Sequence, residues 1–393
     1  MGRPGTPQLM RELNDRAVLE LLLAEGSLTR SQLGERTGLS RVTASQSLGR
    51  LSERGLVTIA GQQAGGRGPN AELYAVAPTV GYVIGLHVER DEVSAGVADV
   101  TGRLISEVTA DPNGGGDPVG LVRRAVATAC AAASVEPAGL RALVIGTPGV
   151  LDPGSGDPRL AVNLPAWHEG VLGALRGDLG LPVTIENDVN LAAMAEHAGG
   201  AAAGVADFAL VWLGTGLGLA TILGGRLHRG ATGAAGEIGY LPVPGAPLPE
   251  DLTHPAAGGF RSLAGGAAVL ELAAGFGFRA ASAGESVSSA VTAAASGQAR
   301  AQEFLAELAR RVAVGVAAIA VTFDPGLVVL GGDIGLGGGD ELASLVQAGV
   351  GRICPVVPRV VATLVAHAPV LRGALLAAAG QAQAQLLDSV AAG

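Results

Sequence analysis

The sequence predicts an α/β protein made of a small helical head followed by a two-lobed body. Three observations predict it. Residues 14–54 hold three short runs with helical apolar spacing, punctuated by Gly26, Gly38 and Gly55. From Tyr82 onward, short β-branched strands alternate with helical stretches, the pattern of α/β sheets. Parts of that plan occur twice, with hairpin strands joined by glycine turns at Thr101-Gly102 and again at Gly214-Thr215-Gly216 and Gly224-Gly225.

Composition bounds the function. At 393 residues the chain is too long for one ordinary domain. All 26 basic residues are Arg, so a P-loop lysine and a Schiff-base lysine are both excluded. Residues 1–80 hold nine Arg against seven acids, a balance of +2, and the remainder carries −11. A mildly basic head on an acidic body fits a head that meets DNA. Cys130 and Cys354 lie in apolar surroundings and read as reduced cytosolic residues rather than a disulfide. Residues 1–14 are polar and lack the apolar core of a signal peptide, and no run is long enough to span a bilayer. A cytoplasmic protein with no membrane partner is expected.

The head comes first, over residues 1–78. Ala17, Val18, Leu21 and Leu22 mark a helix over 14–24, ended by Gly26. Thr29-Arg30-Ser31-Gln32 matches a capping box and opens a second helix, to about residue 37. After the turn Gly38-Leu39-Ser40, a third helix runs over 41–54 with Val42, Leu48 and Leu51 expected to face inward. Strands at 56–59 and 73–76 flank a glycine-rich loop. Three helices and a β-ribbon describe a winged helix-turn-helix, whose third helix enters the major groove of double-stranded DNA. Its outward positions are Arg41, Thr43, Ser45 and Gln46. Arg and Gln suit bidentate contacts to base edges, and Thr and Ser suit phosphate or base. A module for protein contacts is the bland alternative, and the acid-free run from Arg41 to Leu51 favours DNA. Arg67, within Gly65-Gly66-Arg67-Gly68-Pro69, fits either a minor-groove contact or a linker, and both readings stand.

The body, over residues 79–393, begins with three strands in a meander. A helix near 119–133 and a strand at 142–145 follow, and then the loop Gly146-Thr147-Pro148-Gly149-Val150-Leu151-Asp152. Val183-Thr184-Ile185 reads as a buried strand that stops at Glu186-Asn187-Asp188, with a helix from Leu191. Ligands bind where strands end and helices begin in such sheets. Asn187 offers a donor and an acceptor and Asp188 acceptors, a pair suited to vicinal hydroxyls. Asp188 could equally serve only as a helix cap. The second half holds strands at 208–213, 219–223 and 327–330, helices over most of 264–322, and a last helix over about 369–387. Two such halves describe a bilobal actin-like (ribonuclease H-like) fold. One lobe covers 79–190 plus the last helix, and the other covers 191–368.

Three segments, Asn163-Leu164-Pro165-Ala166-Trp167, Glu186-Asn187-Asp188-Val189-Asn190 and Arg229-Gly230-Ala231-Thr232-Gly233-Ala234-Ala235-Gly236-Glu237-Ile238-Gly239-Tyr240, complete the pattern. In this order they resemble the ROK family of repressors and sugar kinases over essentially the whole chain. A winged head resembles the sugar-responsive repressors of that family, which carry one where the kinases do not. The resemblance implies that Asn187 and Asp188 hold sugar hydroxyls, Asp188 matching the catalytic base of the kinases. It implies that Glu237 lies near the anomeric end, with Gly149 and Asn163 in neighbouring sugar-side loops. The family kinases open with an Asp-aliphatic-Gly-Gly-Thr phosphate loop. Here the matching stretch is His87-Val88-Glu89-Arg90-Asp91, which would repel phosphate and lacks the glycines that let backbone approach it. The family zinc motif is also incomplete: its His is Tyr240, whose hydroxyl remains for a ligand, and no Cys lies between Cys130 and Cys354. No catalytic residue, cofactor or metal is therefore expected. The reading is a DNA-binding regulator, a repressor, acting as a homodimer or homotetramer on a roughly palindromic operator and controlled by a sugar or sugar derivative. Its rival is a regulator that has lost sugar binding and answers to a protein partner or to nothing. An active sugar kinase with an added head comes last.

Overall fold

The computed structural model describes residues 7–64, 70–110, 117–160, 167, 170–248 and 258–391. Arg67 and Asn163 lie outside the described residues.

In the head, helix α1 (Pro7–Glu25) starts seven residues earlier than expected, with Pro7 at the first turn where its missing N–H costs nothing. It buries Val18, Leu19 and Leu22. Strand β1 (Leu28–Thr29) leads into α2 (Arg30–Thr37), whose capping box forms as expected: Gln32 N–H donates to Thr29 Oγ1 at 3.3 Å, and Thr29 N–H to Gln32 Oε1 at 2.8 Å. Helix α3 (Arg41–Glu53) is capped by Ser40, whose Oγ accepts from Thr43 N–H at 3.1 Å. Strands β2 (Val57–Gln63) and β3 (Ala71–Val76) form the ribbon, in a sheet of order β1-β3-β2. Arg50 on α3 grips Asp15 on α1 through Nε at 2.8 Å and Nη2 at 2.5 Å. That fork and the buried Ala44, Ser47, Leu48 and Leu51 fix the roll of α3. Val42 does not join them. It is 67% exposed, contrary to the expectation from its apolar character alone.

The first body sheet holds the antiparallel meander β4 (Tyr82–Val88), β5 (Val93–Asp99) and β6 (Leu104–Ala110), backed by α4 (Pro118–Ala133). Strand β7 (Leu140–Thr147), the short pair β8 (Val150–Leu151) and β9 (Pro158–Leu160), helix α5 (Val171–Leu179) and β10 (Val183–Asn187) follow, and the sheet order is β10-β7-β4-β5-β6. The chain then runs through α6 (Asp188–Gly199), β11 (Phe208–Leu213), β12 (Leu217–Leu223), β13 (Arg226–Leu227), α7 (Arg261–Ala264), α8 (Gly266–Phe276), α9 (Ala283–Ala295), α10 (Ala299–Phe323), β14 (Leu327–Gly331), α11 (Gly332–Ile353), β15 (Arg359–Ala362) and α12 (Pro369–Ala391). The second sheet has order β13-β12-β11-β14-β15, with β11, β14 and β15 parallel.

The chain divides into two compact units. One comprises residues 1–145, 170–184 and 374–393, the other residues 146–169 and 185–373. In the first, α12 meets the head: Asp388 pairs with Arg16 at 3.1 Å, and the Ser389 carbonyl accepts from Arg54 at 3.2 Å. In the second, α10 lays Phe304, Leu305, Leu308, Val312 and Val316 into the core, and bare Gly315 makes room for the ring of Phe260. Helix α11 and strand β15 were not anticipated from sequence. Five glycines between Gly332 and Gly339 hide helical periodicity, and Gly339, at φ +54°, breaks the element into two helices.

Candidate functional site

The site is built where β10 ends. Its strand reaches Asn187, two residues past the expected stop, and α6 begins at Asp188 rather than Leu191. The helix cap is Asn187, not Asp188. Its Oδ1 accepts from Asn190 N–H at 3.1 Å, and its Nδ2 donates to the Gly149 carbonyl at 3.1 Å. Asp188 occupies the first helical position, where the exposed N–H groups favour a carboxylate, and its Oδ1 accepts from Val189 N–H at 2.8 Å. Gly149, at φ +115°, turns its carbonyl toward that amide in a conformation that only glycine adopts freely.

Beneath this pair lies a carboxylate that sequence reasoning passed over. Glu186 is buried and accepts three hydrogen bonds, from Arg229 Nε at 2.8 Å, Asn190 Nδ2 at 2.9 Å and Asn187 N–H at 2.9 Å, with Arg229 Nη2 2.7 Å away in the same ion pair. The Arg229 fork joins the strand end to the start of the glycine-rich loop. The two were legible only as separate motifs, and no spacing rule pairs residues 186 and 229. That loop is pinned by its glycines. Gly233 (φ +78°) lies against the Leu151 carbonyl, and Gly236 (φ +103°) against the Leu219 carbonyl; an added Cβ would sit 2.0 and 1.9 Å from those oxygens. The loop ends in Glu237, whose carboxyl is pushed up by burial and drawn partly back by Arg261. Tyr240 follows one short helical turn later, with the Arg261 guanidinium 5.1 Å from its ring centre.

The structure thus gathers Gly149, Asn187, Asp188, Glu237 and Tyr240 within one compact unit, on three segments tied together by the contacts above. Glu186, Asn190, Arg229 and Arg261 were missed as site residues. A carboxylate directly before Asn-Asp, and an Arg opening the glycine loop, were the signals present. Chemically, the site offers hydrogen-bonding amide and carboxylate groups with no net excess of cations. Among the described residues, which exclude His254, no three His, Cys, Asp or Glu side chains come together as metal ligands.

In the other unit, the turn between β4 and β5 is acidic. Glu89 N–H donates to the Glu92 carbonyl at 2.9 Å, and burial with the charges of Glu92 and Asp91 raises the Glu89 carboxyl. His87, next to last in β4, has Nε2 lacking a hydrogen-bond partner, and burial lowers it to about 4. On α3, Arg41 and Gln46 are exposed, while Thr43 and Ser45 are half-buried. Thr43 Oγ1 lies 2.9 Å from Ser40 Oγ and so belongs partly to the cap.

A winged three-helix head is thus followed by an α/β body with two five-stranded sheets. A family model described as ROK family matches residues 83–379, and one described as MarR family matches residues 13–68. The chain belongs to the ROK family. It is 29% identical over 244 residues to a xylose repressor of Caldicellulosiruptor bescii, an alignment covering 61% of each chain and so less than two thirds of that relative's length. It is 25% identical over 346 residues to the DNA-binding transcriptional dual regulator NagC of Escherichia coli, covering 84% of this chain and 82% of that one. Among solved structures, a ROK family transcriptional regulator described as a homolog of the E. coli MLC protein superposes with a TM-score of 0.73 at 17% identity, covering 98% and 100% of the two chains. A ROK hexokinase from Thermus thermophilus superposes with a TM-score of 0.61 at 30% identity, covering 78% and 99%. The winged head and actin-like body therefore stand as expected. No helix among the described residues is long and apolar enough to cross a membrane.

Proposed function

We propose that this chain is a cytoplasmic transcriptional repressor. Its head, residues 1–78, binds double-stranded operator DNA through Arg41, Thr43, Ser45, Gln46 and Arg67. Its body, residues 79–393, binds a sugar or sugar derivative through Gly149, Asn163, Asn187, Asp188, Glu237 and Tyr240. A homodimer or homotetramer presents two heads to a palindromic operator.

The observation that carries the reading is the pairing of two features in one chain. Helix α3 is locked in place by the Arg50–Asp15 fork with Arg41 and Gln46 turned outward, and the body keeps the Asn187–Gly149 and Glu186–Arg229 framework beneath a potential sugar site. The relatives named xylose repressor and NagC support it. The body acts without phosphoryl transfer. That chemistry depends on positioning and on stabilising phosphate charge. The acidic β4–β5 turn, with Glu89, Asp91 and Glu92, opposes both.

The test is capture of fragments from the protein's own genome at fixed salt, with and without a mixed sugar pool. Salt is held constant because non-specific affinity depends steeply on it. Discrete peaks that sharpen or vanish with sugar are expected. Peaks indifferent to every sugar would transfer the reading to a ligand-blind regulator with a protein partner. Sugar-dependent ATP consumption, abolished by Asp188→Ala, would overturn the absence of kinase chemistry.

A further inference from the structure

Val42 is the second residue of α3 and is 67% exposed, between Arg41 and the half-buried Thr43. The geometry of the head puts it there for a definite reason. With Ala44, Ser47, Leu48 and Leu51 packed inward and Arg50 forked onto Asp15, the opposite stripe of the helix is Val42, Gln46 and Gly49, at intervals of four and three. Nothing lies within 4 Å of a Cβ placed at Gly49, so the C-terminal end of that stripe is bare. Residues 36–52 contain no acid; Arg50 is taken up by Asp15 and Arg36 by Glu25, so Arg41 at the start of the helix is the cation this end of α3 offers to a polyanion. Val42, at the N-terminal end of this face, is left largely uncovered by the described residues.

We propose that Val42 reads a thymine C5-methyl group in the major groove of the operator half-site. The proposal rests on the DNA-binding reading given above. Val has neither donor nor acceptor on its side chain, so it can distinguish bases only by apolar contact. In the major groove the thymine methyl is the one apolar feature that a base edge offers, beside the donors and acceptors of the others. Arg41 and Gln46, one residue before and four after, supply polar contacts to neighbouring base pairs, and Val42 sets the identity of the pair between them. The bare surface at Gly49 lets the helix lie close enough for a side chain as short as Val to reach a base edge. The assignment makes Val42 a specificity residue that apolar periodicity would place in the core.

The experiment uses the full-length chain and the genomic fragment it captures most tightly. Each thymine of one half-site is replaced singly by uracil, which removes only the methyl group. One such replacement is expected to weaken binding by the wild-type chain about fourfold, the effect of one buried methyl. Val42→Ala should weaken binding to the unmodified fragment by a similar factor and lose its response to that same replacement. Val42→Thr, which keeps one methyl at the same shape, should retain part of it. Circular dichroism and melting temperature should match wild type for both variants, since the side chain is largely in solvent. If no uracil replacement changes the wild-type affinity, or if Val42→Ala responds to it as wild type does, the proposal falls while the DNA-binding reading stands. If no fragment is captured at all, the DNA-binding reading itself falls and takes the proposal with it. A change in the sedimentation of the free protein on Val42→Ala would assign the residue to a protein contact and likewise overturn it.

Discussion

Removing the Arg229 side chain tests whether the ion pair at the strand end holds the site together. In Arg229→Met the stem is kept and the guanidinium is lost. Glu186, with its side chain only 9% exposed, then keeps its bonds from Asn190 Nδ2 and Asn187 N–H but loses the charge-assisted bond from Nε at 2.8 Å and the ion-pair contact of Nη2 at 2.7 Å. Hydrogen bonds to a charged group contribute roughly 1.5–3 kcal/mol each. Arg229 is itself 54% exposed, so water compensates part of the loss. A net cost of about 2–3 kcal/mol follows for the bond and the ion-pair contact together. At about 2–4 °C per kcal/mol for a unit of this size, the melting transition of that unit should fall by roughly 4–12 °C. Calorimetry on the full-length chain reads it, and titration with the sugar found in the capture experiment reads the second consequence, a weakened affinity through a less ordered Asn187. The control is the cycle with Glu186→Gln, which removes the charge that Arg229 answers. The double variant should recover most of the stability lost by Arg229→Met, with a coupling of about 1.5 kcal/mol or more. A transition within about 1 °C of wild type, together with a coupling below roughly 0.5 kcal/mol, would make Arg229 an ordinary surface pair and refute the reasoning.

Three further outcomes are expected. His87 is lowered by burial from its ordinary value of 6.5 to about 4, so the unfolded chain binds the extra proton first. Stability should therefore fall as pH drops from about 6.5 to 4, by roughly 3 kcal/mol in all, and His87→Leu should flatten that limb in denaturant titrations at stepped pH. Gly49→Ala should stabilise α3 by about 0.5–1 kcal/mol, because nothing opposes the new methyl. It should at the same time weaken operator binding, and a stabilised variant that binds as tightly as wild type would show that α3 does not lie close to DNA there. Gly236→Ala should cost several kcal/mol, on the order of a large core defect. The residue is at φ +103° with the Leu219 carbonyl 1.9 Å from the new Cβ, and soluble yield with melting temperature measures the effect.

Much of this protein was determined by the sequence alone, wherever the physics is local. The capping box at Thr29 and Gln32, the stop at Gly26, and the strands at Tyr82–Val88 and Phe208–Leu213 follow from short-range hydrogen bonding, φ preference and β-branched runs. The motif glycines were legible as a pattern, although their purpose, close approach to the Leu151 and Leu219 carbonyls, was not. What only the tertiary structure decided concerns contacts between residues far apart in the chain. Val42 was assigned to the core by its apolar character, and the roll of α3, set by Asp15 thirty-five residues earlier, turned it to solvent. Glu186 became the centre of the site because Arg229, forty-three residues later, folds back onto it. Helix α11 formed across a glycine-rich stretch of low helical propensity because Ile334, Leu342, Val346 and Val350 find a core to fill. In each case the local preference was small, and a buried partner that the sequence does not announce by spacing overrode it.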